Sequence, residues 1–494
     1  MACCCHHSVA LSESCKRIIG VISNLAAGVA IGVALISPAW AAPRPNIILL
    51  MADDLGRGDL QCFNPSSPIQ TPALDEMAGA GMRFDRFYAS SPVCSPTRGS
   101  CLTGRHPFRY GVYYANTGHL RPEEITLAEL LQSEGYKTGH FGKWHLGTMT
   151  TEVSDANRGA PGNTRDYSPP WKHGFQVCFS TESKTPTWDP MLKPVRSGGR
   201  GSAQGWEPIE QRALATEFGT RYWNERGQVV HDNLEGDDSR VIMDRVVPFV
   251  RQAARSQTPF LSVIWFHTPH LPVVAGPQHA AIYEEHSSFK KRYYGCVTAM
   301  DEQIGRLRSE LASLGITENT MIWFCSDNGP EGNENSPGSA AHFRGRKRDL
   351  YEGGVRVPGI LEWPARVAPG SVTGFPAVTS DYLVTILDVL GLNLPDDRPV
   401  DGVSLLPVLT GRPATRQKPI GFQSRRQLAW TTERYKLLSR DLGETWELYD
   451  LLSDPAESRN LATEFPEKIE AMSEALAVWI SSCKASDEGG DWSK

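Results

Sequence analysis

Little in this sequence marks a specialised class of protein. It has no internal repeat and no heptad pattern, which excludes solenoids and coiled coils. A formal net charge of -6 over 494 residues is small and argues against a nucleic-acid partner. Beyond the N-terminal segment there is no C-x-x-C pair, no zinc-type spacing and no second long apolar run to cross a membrane. What remains is a globular composition, 40% hydrophobic and 21% charged, in a chain too long for one ordinary core. Its 45 glycines and 35 prolines fall between periodic segments, as in a loop-rich α/β protein.

The N-terminus reads as a targeting segment. Lys16 and Arg17 precede an apolar run from Ile18 to Ile36, and Ala39-x-Ala41 supplies a small-residue cleavage site. Residues 1–41 are therefore expected to be a signal peptide cut after Ala41, giving a secreted or periplasmic protein with no membrane attachment. The run is nearly long enough to span a bilayer, so an uncleaved anchor is the alternative. The stretch before Lys16 is long for such a leader and carries Cys3, Cys4, Cys5 and Cys15, which leaves a start downstream of Met1 open. The remaining cysteines are scattered, and sequence does not pair them. Cys325, in an apolar strand, reads as core.

Three apolar segments share one design. Asn46-Ile-Ile-Leu-Leu-Met51 ends in Asp53-Asp54, Pro259 to Phe266 ends in His267-Thr-Pro-His270, and Met321 to Cys325 ends in Ser326-Asp327-Asn328. Apolar runs without alternation suit parallel strands covered on both faces, and polar groups past their ends suit the ligand edge of an open sheet. Between them, Thr126 to Tyr136 and Cys296 to Leu314 have helical apolar spacing, and Lys137 to Gly142 leads into Lys143-Trp144-His145. The predicted fold is α/β, a large mostly parallel sheet flanked by helices over residues 42–411. A helix is expected at Asp381 to Leu390. A smaller antiparallel sheet with a closing helix, Glu467 to Trp479, is expected over residues 412–494.

The segment Cys94-Ser-Pro96-Thr-Arg98, followed by Leu102-Thr-Gly-Arg105, resembles the signature of the type I sulfatases in the alkaline phosphatase superfamily. The resemblance continues in family order through Asp53-Asp54, Gly142 to Gly147, Pro269 to Pro272, Asp327 to Pro330, Lys347 with Tyr351 to Pro358, and Glu447 to Asp450 with Asp454-Pro455. It implies that Cys94 is oxidised by a formylglycine-generating maturation enzyme to an aldehyde. The hydrated aldehyde is a geminal diol. One hydroxyl takes the sulfuryl group, and loss of the second hydroxyl's proton collapses the diol and expels sulfate, where a serine would be trapped as a stable ester. The resemblance further implies metal ligation by Asp53, Asp54, Asp327 and Asn328, with residue 94 beside the ion. The set offers oxygen donors, which suits Ca2+, with Mg2+ the alternative. It assigns Arg98 to holding that geometry, Lys143 and Lys347 to the sulfate oxygens, His145 to the collapse step, and His270 to the bridging oxygen. The family more often has glycine where Arg346 and Arg348 stand, a departure that adds positive charge.

Thr148 to Gly205 reads as a long loop rimming the pocket. In it, Trp188 and Asp189 pair an aromatic face with a carboxylate and are candidate sugar contacts, although ordinary loop packing explains them as well. His342 and His106 are further candidates, lying near catalytic elements in sequence. The function expected is hydrolysis of a sulfate ester, with a sulfated carbohydrate as substrate and an aryl sulfate as the nearest rival. A phosphonate or phosphodiester hydrolase on the same fold and a non-catalytic binder of sulfated glycans are the other readings.

Overall fold

The computed structural model describes residues 44–197 and 205–492. The leader and its cleavage site lie outside the described residues. Nine strands form the main sheet: β1 Asn46–Ala52, β2 Met82–Phe84, β3 Lys137–Lys143, β4 Val177–Thr181, β5 Trp223–Asn224, β6 Phe260–Trp265, β7 Thr320–Ser326, β8 Gly359–Glu362 and β9 Ser371–Thr373. Their spatial order is β5-β4-β3-β6-β1-β7-β8-β2-β9. The block from β4 to β7 is parallel throughout, while β5 and β8 run antiparallel to their neighbours.

The unbroken apolar pattern of β1 has a direct cause, since both faces are buried. Ile47, Leu49 and Met51 belong to one core, and Ile48, Leu50 and Ala52 to the other. Helices α1 Cys94–Thr103, α2 Leu127–Ser133 and, later in the chain, Asp381–Leu390 cover the first face through Cys101, Leu102, Leu127 and Leu383. Helices α3 Asp238–Arg255 and α4 Ser288–Ser313 cover the second through Val246, Val250, Met300 and Ile304. Asp381–Leu390 becomes α5. Among the described residues no helix is long and apolar enough to cross a membrane.

Local differences from the sequence reading have physical reasons. α3 was not legible as a helix because Pro248 lies inside it. α4 begins at Ser288 rather than Cys296: the polar run Lys290-Lys-Arg292 interrupts the apolar pattern, while Phe289, Tyr293 and Val297 continue the core-facing stripe towards the N-terminus. β4 interrupts the expected Thr148–Gly205 loop and joins the sheet beside β3. The closing helix, α6, runs Pro466–Asp487. Its added turns dock largely by polar contacts, around buried Cys483: Arg109 donates to Ser482 and Ser486, and Tyr113 and Arg121 both reach Asp487.

After Gly411 come β10 Ile420–Ser424, β11 Gln427–Thr431, β12 Tyr435–Ser439 and β13 Glu447–Asp450, an antiparallel sheet in sequential order. One face packs on Tyr88, Leu350, Tyr351 and Val355, and the other carries α6. Fully buried Lys436 of β12 binds Glu352 at 3.0 Å and Glu457 at 2.8 Å, tying the small sheet to the segment that follows Lys347. Lys436→Ala would take the buried cation from Glu457 and leave Glu352 to Arg356, at 3.3 Å, and the Tyr88 hydroxyl. The expected loss is about 3–5 kcal/mol, read as a lower urea midpoint.

Candidate active site

The C-terminal ends of the parallel strands converge. β1 delivers Asp53 and Asp54, β3 delivers Lys143 and then His145, β6 is followed by His270, and β7 by Asp327 and Asn328. Cys94 opens α1 and Arg98 lies one turn on, so both share a face of that helix. Ligand atoms of Asp53, Cys94 and Asp327 lie within 4.8 Å of one another, as do those of Asp53, Asp54 and His270. The Asp54 amide donates to Asp327 Oδ1 at 3.1 Å, and Asn328 Nδ2 donates to Asp54 Oδ1 at 2.8 Å.

Buried cations balance this concentration of carboxylates. Lys143 Nζ lies 2.6 Å from Asp53 Oδ2, and Lys347 Nζ lies 2.7 Å from the Asp54 carboxylate. Arg98 donates to Asp327 Oδ2 through Nε at 3.1 Å and through a terminal nitrogen at 2.5 Å, while its other terminal nitrogen donates to the Lys143 carbonyl at 3.0 Å. Of the cations between Arg344 and Arg348, Lys347 is the one on Asp54; Arg344 reaches Tyr449, and Arg346 braces its own loop through the Glu331 and Gly338 carbonyls. A side chain on Gly329 would collide with the Gly353 carbonyl, so glycine there lets the Lys347 segment close on the end of β7.

The titration pattern reflects crowding. Burial raises Asp53, but the cations around it, Lys143 first and then Arg98 and Lys347, outweigh it and hold this carboxyl well below the usual range. Asp54 is raised by burial against the pull of Lys347, with Asp53 adding repulsion. Burial and Asp53 push Asp327 up to about 7. The donors are oxygens, and two of them, Asp53 Oδ1 and Asn328 Oδ1, are buried without a partner. That chemistry fits a hard divalent cation, which would relieve the mutual repulsion.

The histidines are neutral and oriented. Burial, then Lys143, depress His145 well below its usual value. Its Nε2 lies 2.8 Å from Asn116 Oδ1, an oxygen that also accepts from Asn157, so Nε2 carries the proton and the buried, unpartnered Nδ1 keeps the lone pair. His270, depressed chiefly by burial, donates from Nδ1 to the Leu271 carbonyl at 2.7 Å, which turns Nε2 towards Asp54 at 3.7 Å.

The expected sugar contacts have packing partners of their own. Asp189 accepts from the Gly236 amide at 2.7 Å and is paired with Arg212, and Trp188 packs on Gly276. These contacts are those of ordinary loop packing. His106 is buried edge-on against Trp479 at 4.6 Å, and exposed His342 stacks on Phe343. The loop residue that does reach the cluster is Lys184, just past β4. Burial, then Lys143 and Lys347, lower its value. Lys184 and Asn116 escaped the sequence reading because a single loop lysine or asparagine carries no pattern; the one available clue was the short strand ahead of Lys184.

A family model for sulfatases matches residues 45–392, and a model described as N-sulphoglucosamine sulphohydrolase, C-terminal, matches residues 341–482. The chain is 32% identical over 428 residues to the steryl-sulfatase of Mus musculus, covering 76% of this chain and 66% of that one. It is likewise 32% identical over 430 residues to the N-acetylgalactosamine-6-sulfatase of Rattus norvegicus, covering 83% and 74%. The crystal structure of Ps i-CgsB in complex with k-i-k-neocarrahexaose shares the fold, with a TM-score of 0.75 at 23% identity over 91% of this chain and 97% of that one. The chain belongs to the sulfatase family. It is a sulfatase, a hydrolase of sulfuric esters.

Asn116→Ala would free the His145 ring to adopt either tautomer. Turnover of an aryl sulfate is expected to fall about tenfold or more, in kcat rather than KM, under steady-state kinetics.

Proposed function

We propose that this sulfatase removes sulfate from a sulfated carbohydrate, using a formylglycine made from Cys94 and a calcium ion held by Asp53, Asp54, Asp327 and Asn328. The observation that carries the reading is the meeting of Cys94, at the N-terminus of α1, with this oxygen-donor set and with Arg98, Lys143 and Lys347. As a thiol, Cys94 is a weak nucleophile, because burial pushes its value up. The hydrated aldehyde supplies one hydroxyl for attack on sulfur and a second whose deprotonation releases sulfate. Bound calcium supplies charge neutralisation and polarises that diol.

The chain's own residues do the rest. Lys143 and Lys347 are buried cations suited to sulfate oxygens, aided by the N-terminus of α1. Arg98 positions Asp327 and links α1 to the end of β3. His145 takes the diol proton at Nδ1, with Asn116 fixing the tautomer. His270, protonated at Nδ1 at rest, faces the bridging oxygen with Nε2, and a second proton taken up there as substrate binds would make it the acid for the leaving alcohol. A carbohydrate substrate is supported by relatives named N-acetylgalactosamine-6-sulfatase. An exported location, with residues 1–41 removed, and a formylglycine-generating enzyme as maturation partner belong to the same reading, as does a large domain over 42–411 with a small one over 412–494.

Mass spectrometry of the tryptic peptide Phe87 to Arg98 from a competent host is expected to show the sulfur and two hydrogens of the Cys94 side chain replaced by one oxygen. Cys94→Ser should then lose repeated turnover. An unmodified thiol in active protein would contradict the mechanism, and aldehyde-bearing protein that binds sulfated glycans without cleaving them would favour the binder. Faster cleavage of a phosphodiester than of its matched sulfate would favour the rival hydrolase.

Asp327→Ala is expected to copurify with less than about a tenth of the wild-type calcium and to lose activity to the same extent. Full activity in this variant, or after exhaustive dialysis against chelator, would overturn the metal assignment.

A further inference from the structure

One cation beside the cluster has no task in the chemistry above. Arg348 has a φ of +81°, a left-handed backbone that an arginine adopts only when its surroundings hold it there. Its amide donates to the Pro92 carbonyl at 2.9 Å, two residues before Cys94, and its carbonyl accepts from Gln427 of β11 at 2.7 Å. The residue is thus pinned between the nucleophile segment and the small sheet, next in sequence to Lys347. Glycine would meet the backbone requirement without strain, so the arginine side chain is what the position gains.

That side chain is aimed and partly free. Its two terminal nitrogens grip the carboxylate oxygens of Glu331 at 2.7 and 2.8 Å. The same carboxylate lies 3.3 Å from Lys347 Nζ, so a single carboxylate separates the Arg348 guanidinium from the amine on Asp54. An end-on pair uses one N–H of each terminal nitrogen. Nε–H and the outer N–H groups have no side-chain or backbone partner among the described residues, and the side chain is 49% exposed. A second cation stands on the same rim: Arg425, in the turn between β10 and β11, stacks over Tyr114 at 4.0 Å, in the hairpin that also carries Asn116.

We propose that Arg348 is a specificity-determining residue that binds a second anionic substituent of the substrate, a carboxylate or a further sulfate, carried on the same sugar as the scissile sulfate or on its neighbour. This rests on the sulfatase reading and deepens it: the substrate class is a polyanionic saccharide. The Nε edge of a guanidinium held end-on by Glu331 presents a planar fork suited to carboxylate or sulfate. Glu331 keeps that fork beside Lys347 and cancels its charge when no substrate is present. Arg425 adds attraction at the rim.

The test is binding rather than turnover, so that it is read separately from catalysis. Full-length Cys94→Ala protein in calcium buffer is titrated calorimetrically with matched probes: glucosamine 6-sulfate against glucosamine 2-N,6-O-disulfate, galactose 6-sulfate against galactose 2,6-disulfate, and each monosulfate against its uronate-linked disaccharide. At least one doubly anionic member is expected to bind about tenfold or more tightly than its partner, and its identity tells sulfate from carboxylate. Arg348→Gly and Arg348→Asn, both compatible with the left-handed backbone, are expected to erase that preference. No preference for a second anion in any pair, or a preference that survives both substitutions, overturns the proposal. Failure of aldehyde-bearing wild type to cleave an aryl sulfate would instead overturn the proposed mechanism and leave the binding result to stand by itself.

Discussion

Three carboxylates, Asp53, Asp54 and Asp327, are held together in a water-poor interior, and much of the molecule is arranged to make that tolerable. Each has a dedicated cation, Lys143, Lys347 and Arg98, and each cation comes from a different part of the chain. Adjacent like charges in low dielectric repel strongly, so an arrangement missing one partner would strand a charge at a cost of several kcal/mol. The parallel sheet explains why they meet at all. Strands running in one direction place all their C-terminal ends on one edge, and β1 and β7 are immediate neighbours.

How far this could be read from sequence depended on the kind of signal. Strands buried on both faces announce themselves as apolar runs, so β1, β6 and β7 were legible to within a residue or two at each end. The sequence pattern alone therefore puts Asp53-Asp54, His270 and Asp327-Asn328 on one edge. α3 was not legible, since Pro248 masks an otherwise amphipathic helix. Within the site, the residues found were those embedded in multi-residue motifs. Asn116, Lys184 and Glu331 act through spatial proximity alone, and a lone loop residue leaves no periodicity to detect. Trp188 and Asp189 are the opposite case, where a local pattern suggests a sugar contact and ordinary loop packing explains it as well. An aromatic beside a carboxylate looked like a sugar platform, yet Asp189 is consumed by Arg212 and the Gly236 amide.

The small sheet and α6 do more than cap the chain. The Lys436 network joins β12 to the segment carrying Lys347, and Gln427 holds the backbone at Arg348. On the far side, Asp401 accepts from Arg109 and from the Trp479 indole at 2.9 Å, and Asp487 and Asp491 pair with Arg121 and Arg105. Through these contacts the last helix and the residues just after it brace the segment that follows α1, so the helix that opens with Cys94 is clamped at its far end by residues nearly four hundred positions away, 386 for the Arg105–Asp491 pair.

That brace has a consequence in time. Cys94 is only 2% exposed in the finished fold, and the strands and helix that enclose it are made long after it is. On a ribosome, β6, β7 and α6 emerge well after residue 94, and until they do the cysteine stands in the open. Any enzyme that must reach this side chain therefore works against a clock set by translation. Folding closes the window, and a cysteine still unmodified at that moment is sealed in as it is.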